Sequence, residues 1–426
     1  DVTDEKVPDN KKKSFLESKD QGYTFNLKNI DLIPCNACGY SLGNQIIELY
    51  KNKQILDNFG VSKAGVVTGA DEYFIKFWYE IDNNKITYFP KPNELYDYVL
   101  FSKGGSFAKW YGNSQHILRL NDMWDDTKTN KSVRRGDTSF YYKRGIGWSQ
   151  MGGGVNKSFS EIENCICKTT TPMFYANNQK HFNYILGYLN SSIPPVILKA
   201  LNPTLSILTS DILNLPFLYD EKYACQIDEL VKASYRIAKN IYEQNEENWQ
   251  FKRNSLIGVG LIQERFESWS TDMFLKYKKM KEYNDRLDGI FIEIMKLKES
   301  VRIDYEKYYD TKNKSEAVNR FISYAVGCMF GRYSLDNDGL VYAGGQWDDN
   351  KYSTFIPDND NILPITDEEY FEDDIVGLFV AFVKKVYGVE TLEENLDFIA
   401  KELGNKGNTS REIIRNYFVK DFFKDH

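Results

Sequence analysis

Two apolar seams in the second half of the chain set the strongest limit on its fold. Ile227, Leu230, Ser234, Ile237 and Ile241 recur at alternating spacings of three and four, and so do Met273, Tyr277, Met280, Asn284, Leu287, Phe291 and Ile294. That spacing keeps one stripe along one face of a helix. Gly258 and Gly260 break the pattern between the two runs. An antiparallel helical hairpin acting as a spacer is therefore expected over 221–311, although two ordinary bundle helices would carry the same seams.

The flanking regions read differently. Residues 1–20 are polar. From Gly22 to Phe217, short runs such as Tyr73–Tyr79 and Ile86–Phe89 are rich in β-branched and aromatic residues and bounded by Gly, Asn and Asp, which is a strand signature. Gly104-Gly105 and Gly152–Gly154 punctuate the region with turns. From Lys312 the pattern is helical again, with loops around Asp336–Gly345. The acidic stretches Asp367–Glu369 and Glu372–Asp374 precede an apolar helix at Ile375–Val386. Acids in a first turn favour the helix dipole, so they read as a cap rather than a metal site. The expected class is α+β: a polar segment (1–20), a strand-rich mixed α/β domain (21–220), the long antiparallel helices (221–311) and a helical C-terminal domain (312–426).

At 426 residues the chain calls for two or three cores. A net charge of −7 excludes a bulk nucleic-acid binder, so charge has to be read locally. No apolar run reaches the length of a membrane-spanning helix, and the first residues lack a signal-peptide pattern. A start at Asp1 reads as a piece of something longer. Six Cys suggest no disulfide framework and fit a reducing cytoplasm. Aromatics make up 15%, compatible with base stacking, but AT-rich codon usage and large cores explain them more simply.

Catalytic material is sparse. Methylating the amino group of adenine calls for an Asn/Asp-Pro-Pro-aromatic loop that binds the amino group and stacks on the flipped base. The one Pro-Pro here, Pro194-Pro195, is flanked by Ile193 and Val196. No Gly-rich turn for S-adenosylmethionine follows a convincing strand, there is no P-loop, and His is limited to His116, His181 and His426. The chain is therefore expected to be non-catalytic, with no cofactor and no metal of its own. Cys35, Cys38, Cys165 and Cys167 could close a structural zinc site if the fold gathered them. The one-residue spacing of the second pair suits a strand better, and a redox pair or unremarkable cysteines remain open.

The informative charge lies between Phe101 and Ser160. Ten Lys/Arg against Asp122, Asp125, Asp126 and Asp137 leave 10 − 4 = +6 in this window, interleaved with Trp110, Tyr111, Trp124, Tyr141, Tyr142 and Trp148. Such a patch suits phosphate contact and groove entry, and Arg can read guanine edges. A solvated loop over buried aromatics has the same composition. The candidate DNA contacts are Lys103, Lys109, Trp110, Tyr111, Arg134, Arg135, Lys143 and Arg144.

Several segments carry a resemblance. Gly65–Phe74 followed by Phe77–Glu80 resembles the Thr-Gly-Asx turn and Trp-x-Glu strand that open a methyltransferase target-recognition domain. Gly104-Gly105, Lys109–Asn113 and Arg135–Ser149 resemble segments of the PglX family of adenine-specific DNA methyltransferases, which belong to bacteriophage-exclusion (BREX) systems. Ile185–Ser192 and Asp211–Pro216 resemble the end of a recognition domain. Ala325–Leu335 and Ile362–Thr366 resemble the PglX C-terminal helical region. Ile33-Pro34 is similar to the joint between the two halves of relatives, with Cys35 where Gly is expected. The resemblance implies a target-recognition and C-terminal half, partnered by an N-terminal methyltransferase domain that this chain lacks. It further implies S-adenosylmethionine for the full-length enzyme, double-stranded DNA as partner, other BREX proteins nearby and a cytoplasmic role in antiviral defence. A protein-interaction scaffold, docking BREX partners or a phage DNA mimic, is the alternative.

Overall fold

A computed structural model describes residues 12–13, 16–17, 26–34, 42–126, 130–151, 157–297, 313–404 and 406–425. The chain is α+β. Among the described residues nine short strands form two sheets: β1 (Gly60–Lys63), β2 (Ile75–Phe77), β3 (Ile86–Thr87), β4 (Tyr98–Ser102), β5 (His116–Arg119), β6 (Gly145–Gly147), β7 (Ser160–Ile162), β8 (Ile166–Cys167) and β9 (Met173–Ala176). The helices that matter here are α1 (Asn44–Lys51), α2 (Asp71–Phe74), α3 (Leu120–Asp126), α4 (Phe182–Leu189), α5 (Ile193–Leu201), α6 (Thr209–Leu213), α7 (Glu221–Tyr242), α8 (Ile262–Met295), α9 (Lys314–Met329), α10 (Ile375–Tyr387), α11 (Leu392–Leu403) and α12 (Ser410–Lys420).

The first sheet is antiparallel, in the order β1-β9-β6-β7. The second runs β2-β5-β4-β3, with β8 also paired to β4. Its β4–β5 and β5–β2 pairs are antiparallel, while β3 and β8 meet β4 in parallel at successive registers. The second sheet is covered on both faces. Leu100 and Ile117 point into one core, and Val99, Phe101 and Leu118, one residue out of phase, point into another. That alternation is the period-two pattern of a strand with two dry faces.

The run Tyr73–Tyr79 is not one strand. Asp71–Phe74 is a helical turn, only Ile75–Phe77 is extended, and Trp78–Glu80 turns again. Local hydrogen bonds explain the interruption: the Asp71 carboxylate takes Thr68 Oγ1 and Lys168 Nζ, and the Glu80 carboxylate accepts the Phe77 amide at 3.0 Å. From Ile86–Phe89, only Ile86-Thr87 pairs; Phe89, ahead of Pro90, is 71% exposed.

The hairpin is present and antiparallel. Lys222 and Tyr223 meet Glu293, Asn240 meets Lys276 at 2.6 Å, and Gln244 meets Trp269 at 2.9 Å, so one helix index rises as the other falls. The seam residues Ile227, Leu230, Ser234, Met273, Met280, Asn284, Leu287 and Phe291 are buried. At 34 residues, α8 is about 50 Å long. Its C-terminal half lies in a core with α1, α4, α5, α7 and the first sheet, while its start, at Ile262 and Phe266, lies in the core of α9–α12 and one face of the second sheet. The Ile262 amide, unpaired within its own helix, donates to Asn395 Oδ1 of α11 at 2.8 Å.

The acidic stretch ends in a cap. Asp374, fully buried, accepts the Val376 and Gly377 amides at 3.0 and 3.3 Å and takes both arms of Arg415 from α12 at 2.7 Å. Asp374→Ala is expected to lower stability by about 3–5 kcal/mol, because it leaves a guanidinium without its partner. Asp374→Asn, which retains an acceptor for the cap, should cost less. Urea unfolding of both variants measures the difference.

Candidate nucleic-acid interface

The Thr-Gly turn is built around Asp71. Gly69 takes a φ of +71°, available to Gly without strain. Gly65 lies so close to the Cys167 carbonyl that any Cβ would sit 1.8 Å from that oxygen. Three stretches meet here: Val66 bonds Cys167 and Thr169 on one side, and Val67 exchanges two 2.9 Å bonds with Arg134 on the other. Burial tends to raise the Asp71 carboxyl, but hydrogen bonds from Lys168 and Thr68 and the charge of Lys103 together hold it below its usual value.

The eight candidate contacts separate by environment. Lys103 and Arg134 are exposed beside this turn. Lys143 is also exposed, 5.0 Å from the Phe140 ring, and Lys63 stands 5.0 Å from the same ring while pairing with Asp137 at 3.2 Å. Lys63 belongs to the same surface, yet it lies outside the basic window of the sequence; only the pairing of β1 with β9, next to Phe140 on Tyr175, brings it there.

The other candidates are turned inward. Lys109 is 5% exposed, its ammonium 5.5 Å from the Trp110 ring. Burial pushes its pKa down to about 8, opposed by Asp288 and Asp285 of α8. Trp110 is completely buried, its backbone bonded to Phe159 and Glu161. Tyr111 donates to Gln250 Oε1 at 2.9 Å and packs edge-on against Tyr235 and Tyr242 of α7. Arg144 forms a bidentate pair with Glu161 at 2.7 and 2.8 Å, reaches Asn183 at 3.2 Å and covers the Phe182 ring at 3.7 Å. Arg135 is half-buried, stacked 4.5 Å from Trp124 and bonded to its carbonyl at 2.9 Å. Expectation and structure part on Lys109 and Trp110, which are buried, and in part on Arg144, whose side chain is 33% exposed but held by Glu161: a cation with carboxylates and aromatic rings at hand is drawn toward the fold, where it holds elements together.

Pro194 and Pro195 are buried in the first turn of α5, where they start a helix. Among the described residues no Gly-rich turn joins a strand of a parallel doubly wound sheet to a helix. Cys165 Sγ and Cys167 Sγ are 3.9 Å apart, and the hydrogen bond between them, with burial, pushes the Cys165 thiol well up. Cys35 and Cys38 lie outside the described residues, as do Gly152–Gly154. The one group of three carboxylates within ligand reach among the described residues is Asp358, Asp360 and Asp373, a partly exposed trio of a kind common without an ion. No helix among the described residues is long and apolar enough to cross a membrane.

The fold and surface thus define a mixed α/β unit, with a cation-bearing rim, locked to a helical bundle through a long hairpin. No family model matches the chain. Over 98% of its length it is 28% identical to the adenine-specific methyltransferase PglX of Lacticaseibacillus casei (strain Zhang), covering 37% of that protein. Over 84% of its length it is 30% identical to the adenine-specific methyltransferase BrxX of Escherichia coli O9:H4 (strain HS), covering 32% of it. The chain is a homologue of these PglX- and BrxX-type methyltransferases, and it spans about a third of their length.

Two outcomes follow from the buried charges. Arg144→Ala leaves Glu161, whose side chain is 11% exposed, without its partner; a loss of about 2–4 kcal/mol in chemical unfolding is expected. His116 is 3% exposed, and burial, reinforced by Lys103 and opposed by Asp71, pushes its pKa down to about 4. The unfolded chain takes up this proton below about pH 6.5 and the folded chain only near 4. Stability due to neutral His116 is therefore complete above 6.5 and is lost as pH falls toward 4. Relative to His116→Asn, the wild type should lose on the order of 3 kcal/mol between pH 7 and 4. A pH-independent difference in urea unfolding would remove this account of His116.

Proposed function

We propose that this chain is the DNA sequence-recognition part of an adenine-N6 DNA methyltransferase of a phage-exclusion system, and that methyl transfer from S-adenosylmethionine belongs to a part of the protein outside this stretch. The observation that carries the reading is the coincidence of a cationic rim (exposed Lys103, Arg134 and Lys143, with half-buried Lys63 paired to Asp137) with a Thr-Gly turn domain, in a chain homologous along its length to adenine-specific methyltransferases. The exposed cations contact phosphates and so position the domain, and Arg134, beside the turn, is the best placed to reach a base edge. Lys109, Arg144 and Arg135 position this surface from within. The helical hairpin acts as a rigid spacer, and the partners are double-stranded DNA and the methyltransferase domain.

A specific feature favours a second reading for the C-terminal part. Tyr370 and Phe371 are 61% and 53% exposed among Asp367, Glu368, Glu369, Glu372 and Asp373. An acidic surface with exposed rings suits docking of a protein partner of the exclusion system better than contact with DNA.

Fluorescence anisotropy with random-sequence duplex DNA across a salt series tests the first reading. Wild type should bind with an affinity that falls steeply with salt. Combining Lys103→Ala, Arg134→Ala and Lys143→Ala should weaken binding roughly tenfold or more and flatten the log–log salt slope by about 0.9 for each phosphate no longer neutralised. No binding of the wild type at low salt would transfer recognition to the methyltransferase domain and leave the docking reading in the lead.

A further inference from the structure

A cleft of about 180 Å³ opens where the second sheet, the 111–114 loop and α7 meet. It is smaller than the roughly 300–1,000 Å³ of pockets for drug-sized molecules, so it admits one ring system rather than an extended ligand. Aromatic side chains line it in two groups. Tyr88 stacks on Trp249 with centroids 4.4 Å apart, and Phe89 packs edge-on to Trp249 at 6.3 Å. Tyr111 and Tyr235 form the second group, edge-on at 5.6 Å. The Phe89 ring is 71% exposed, a large apolar side chain held in water at the mouth of a cleft.

Polar atoms in the lining single this cleft out from an ordinary surface crevice. Ser102 and His116 both line it, are 4% and 3% exposed, and carry Oγ and Nδ1 atoms with no hydrogen-bond partner among the described residues. Buried polar atoms are nearly always paired, and leaving one unpaired costs stability. Ser102 is in phase with Leu100 and so lies on the face against which Tyr88 and Trp249 pack, where a ligand donor or acceptor would satisfy its Oγ, whereas His116, opposite Phe101, lies in phase with the other face.

Charge narrows the ligand further. Of the two carboxylates in the lining, Glu161 is neutralised by Arg144, and Lys239 in the lining pairs with Glu243 at 3.7 Å, which leaves Glu163 in the lining and the exposed Lys103 beside Ser102. With one such carboxylate and one such cation the cleft carries no strong charge of either sign, which suits a neutral ring on a strand whose phosphates lie near Lys103. We propose that the cleft binds a single unpaired nucleobase, stacked against the Phe89–Trp249 group and hydrogen-bonded by Ser102. This inference rests on the reading of the chain as a DNA-recognition module. It adds to it a site for a base displaced from the helix, separate from the rim that holds the duplex backbone.

Anisotropy with two labelled 12-nucleotide probes, oligothymidine and an abasic strand with the same phosphates, tests the inference alongside the duplex titration. Wild type should bind oligothymidine about five- to a hundredfold more tightly than the abasic strand, the range of a single base–aromatic stack. Phe89→Ala, at an exposed position that leaves the cores intact, should reduce that preference to under threefold without changing affinity for the abasic strand. Ser102→Ala should weaken the preference in part. Equal affinity for the two probes, or a preference indifferent to Phe89→Ala, overturns the proposal; if duplex binding with a steep salt slope persists, the recognition reading survives alone. Binding to none of the nucleic acids overturns both. Tight binding of a hexa-arginine peptide, abolished in Glu163→Gln, would assign the cleft to a cationic partner and overturn the proposal in favour of protein docking.

Discussion

The structure depends on one helix being buried in two places. α8 contributes Ile262 and Phe266 to the core of the C-terminal helices and Met280, Leu287 and Phe291 to the core beneath the first sheet. A continuous α-helix hydrogen-bonds only to itself along its length, so it resists bending between those sites and transmits their relative placement. Its start is pinned by Asn395, and its later turns by Asp288, which accepts the Ser192 amide at 2.8 Å. The second sheet reinforces the arrangement, since one face belongs to the helical core and the other to a core of its own. What remains for ligands is loops and edges, where the exposed cations stand.

The basic residues divide by what their neighbours offer. Lys109, Arg135 and Arg144 each have a ring beside them, together with a carboxylate or carbonyl at hand; Lys109 leaves solvent and the two Arg are partly covered. Taking such a charge out of water is costly unless its hydrogen bonds are replaced, and the bidentate geometry of Arg144 on Glu161 replaces them. Lys103, Arg134 and Lys143 remain on the surface. A cation fixed in the fold cannot also release counterions on DNA, so the net charge of a sequence window overstates the surface that a phosphate backbone meets. The buried group still serves recognition, because it sets the loops from which the exposed group projects.

Much was legible in the residues alone. The α+β class, the antiparallel hairpin and the cap at Asp374 follow from spacing and local chemistry, because helix periodicity and capping are short-range properties. The homology to adenine-specific methyltransferases was legible too, in the order of segments such as Gly65–Phe74 and Arg135–Ser149. Segments where side-chain bonds compete with backbone pairing were not. Tyr73–Tyr79 has strand composition, but Asp71 and Glu80 turn the chain at either end of a three-residue strand.

The sequence by itself determined that two long amphipathic helices fill 221–295, that the class is α+β, and that cations and aromatics accumulate between Phe101 and Ser160. Only the tertiary structure decided which of those cations face water. It buried Trp110, placed Lys63 beside Lys143, and lined one cleft with Ser102, His116, Phe89 and Trp249 from four separate stretches. The reason is that periodicity is a property of neighbours along the chain, whereas the desolvation of a charge and the closing of a cleft depend on groups that meet only when the chain packs.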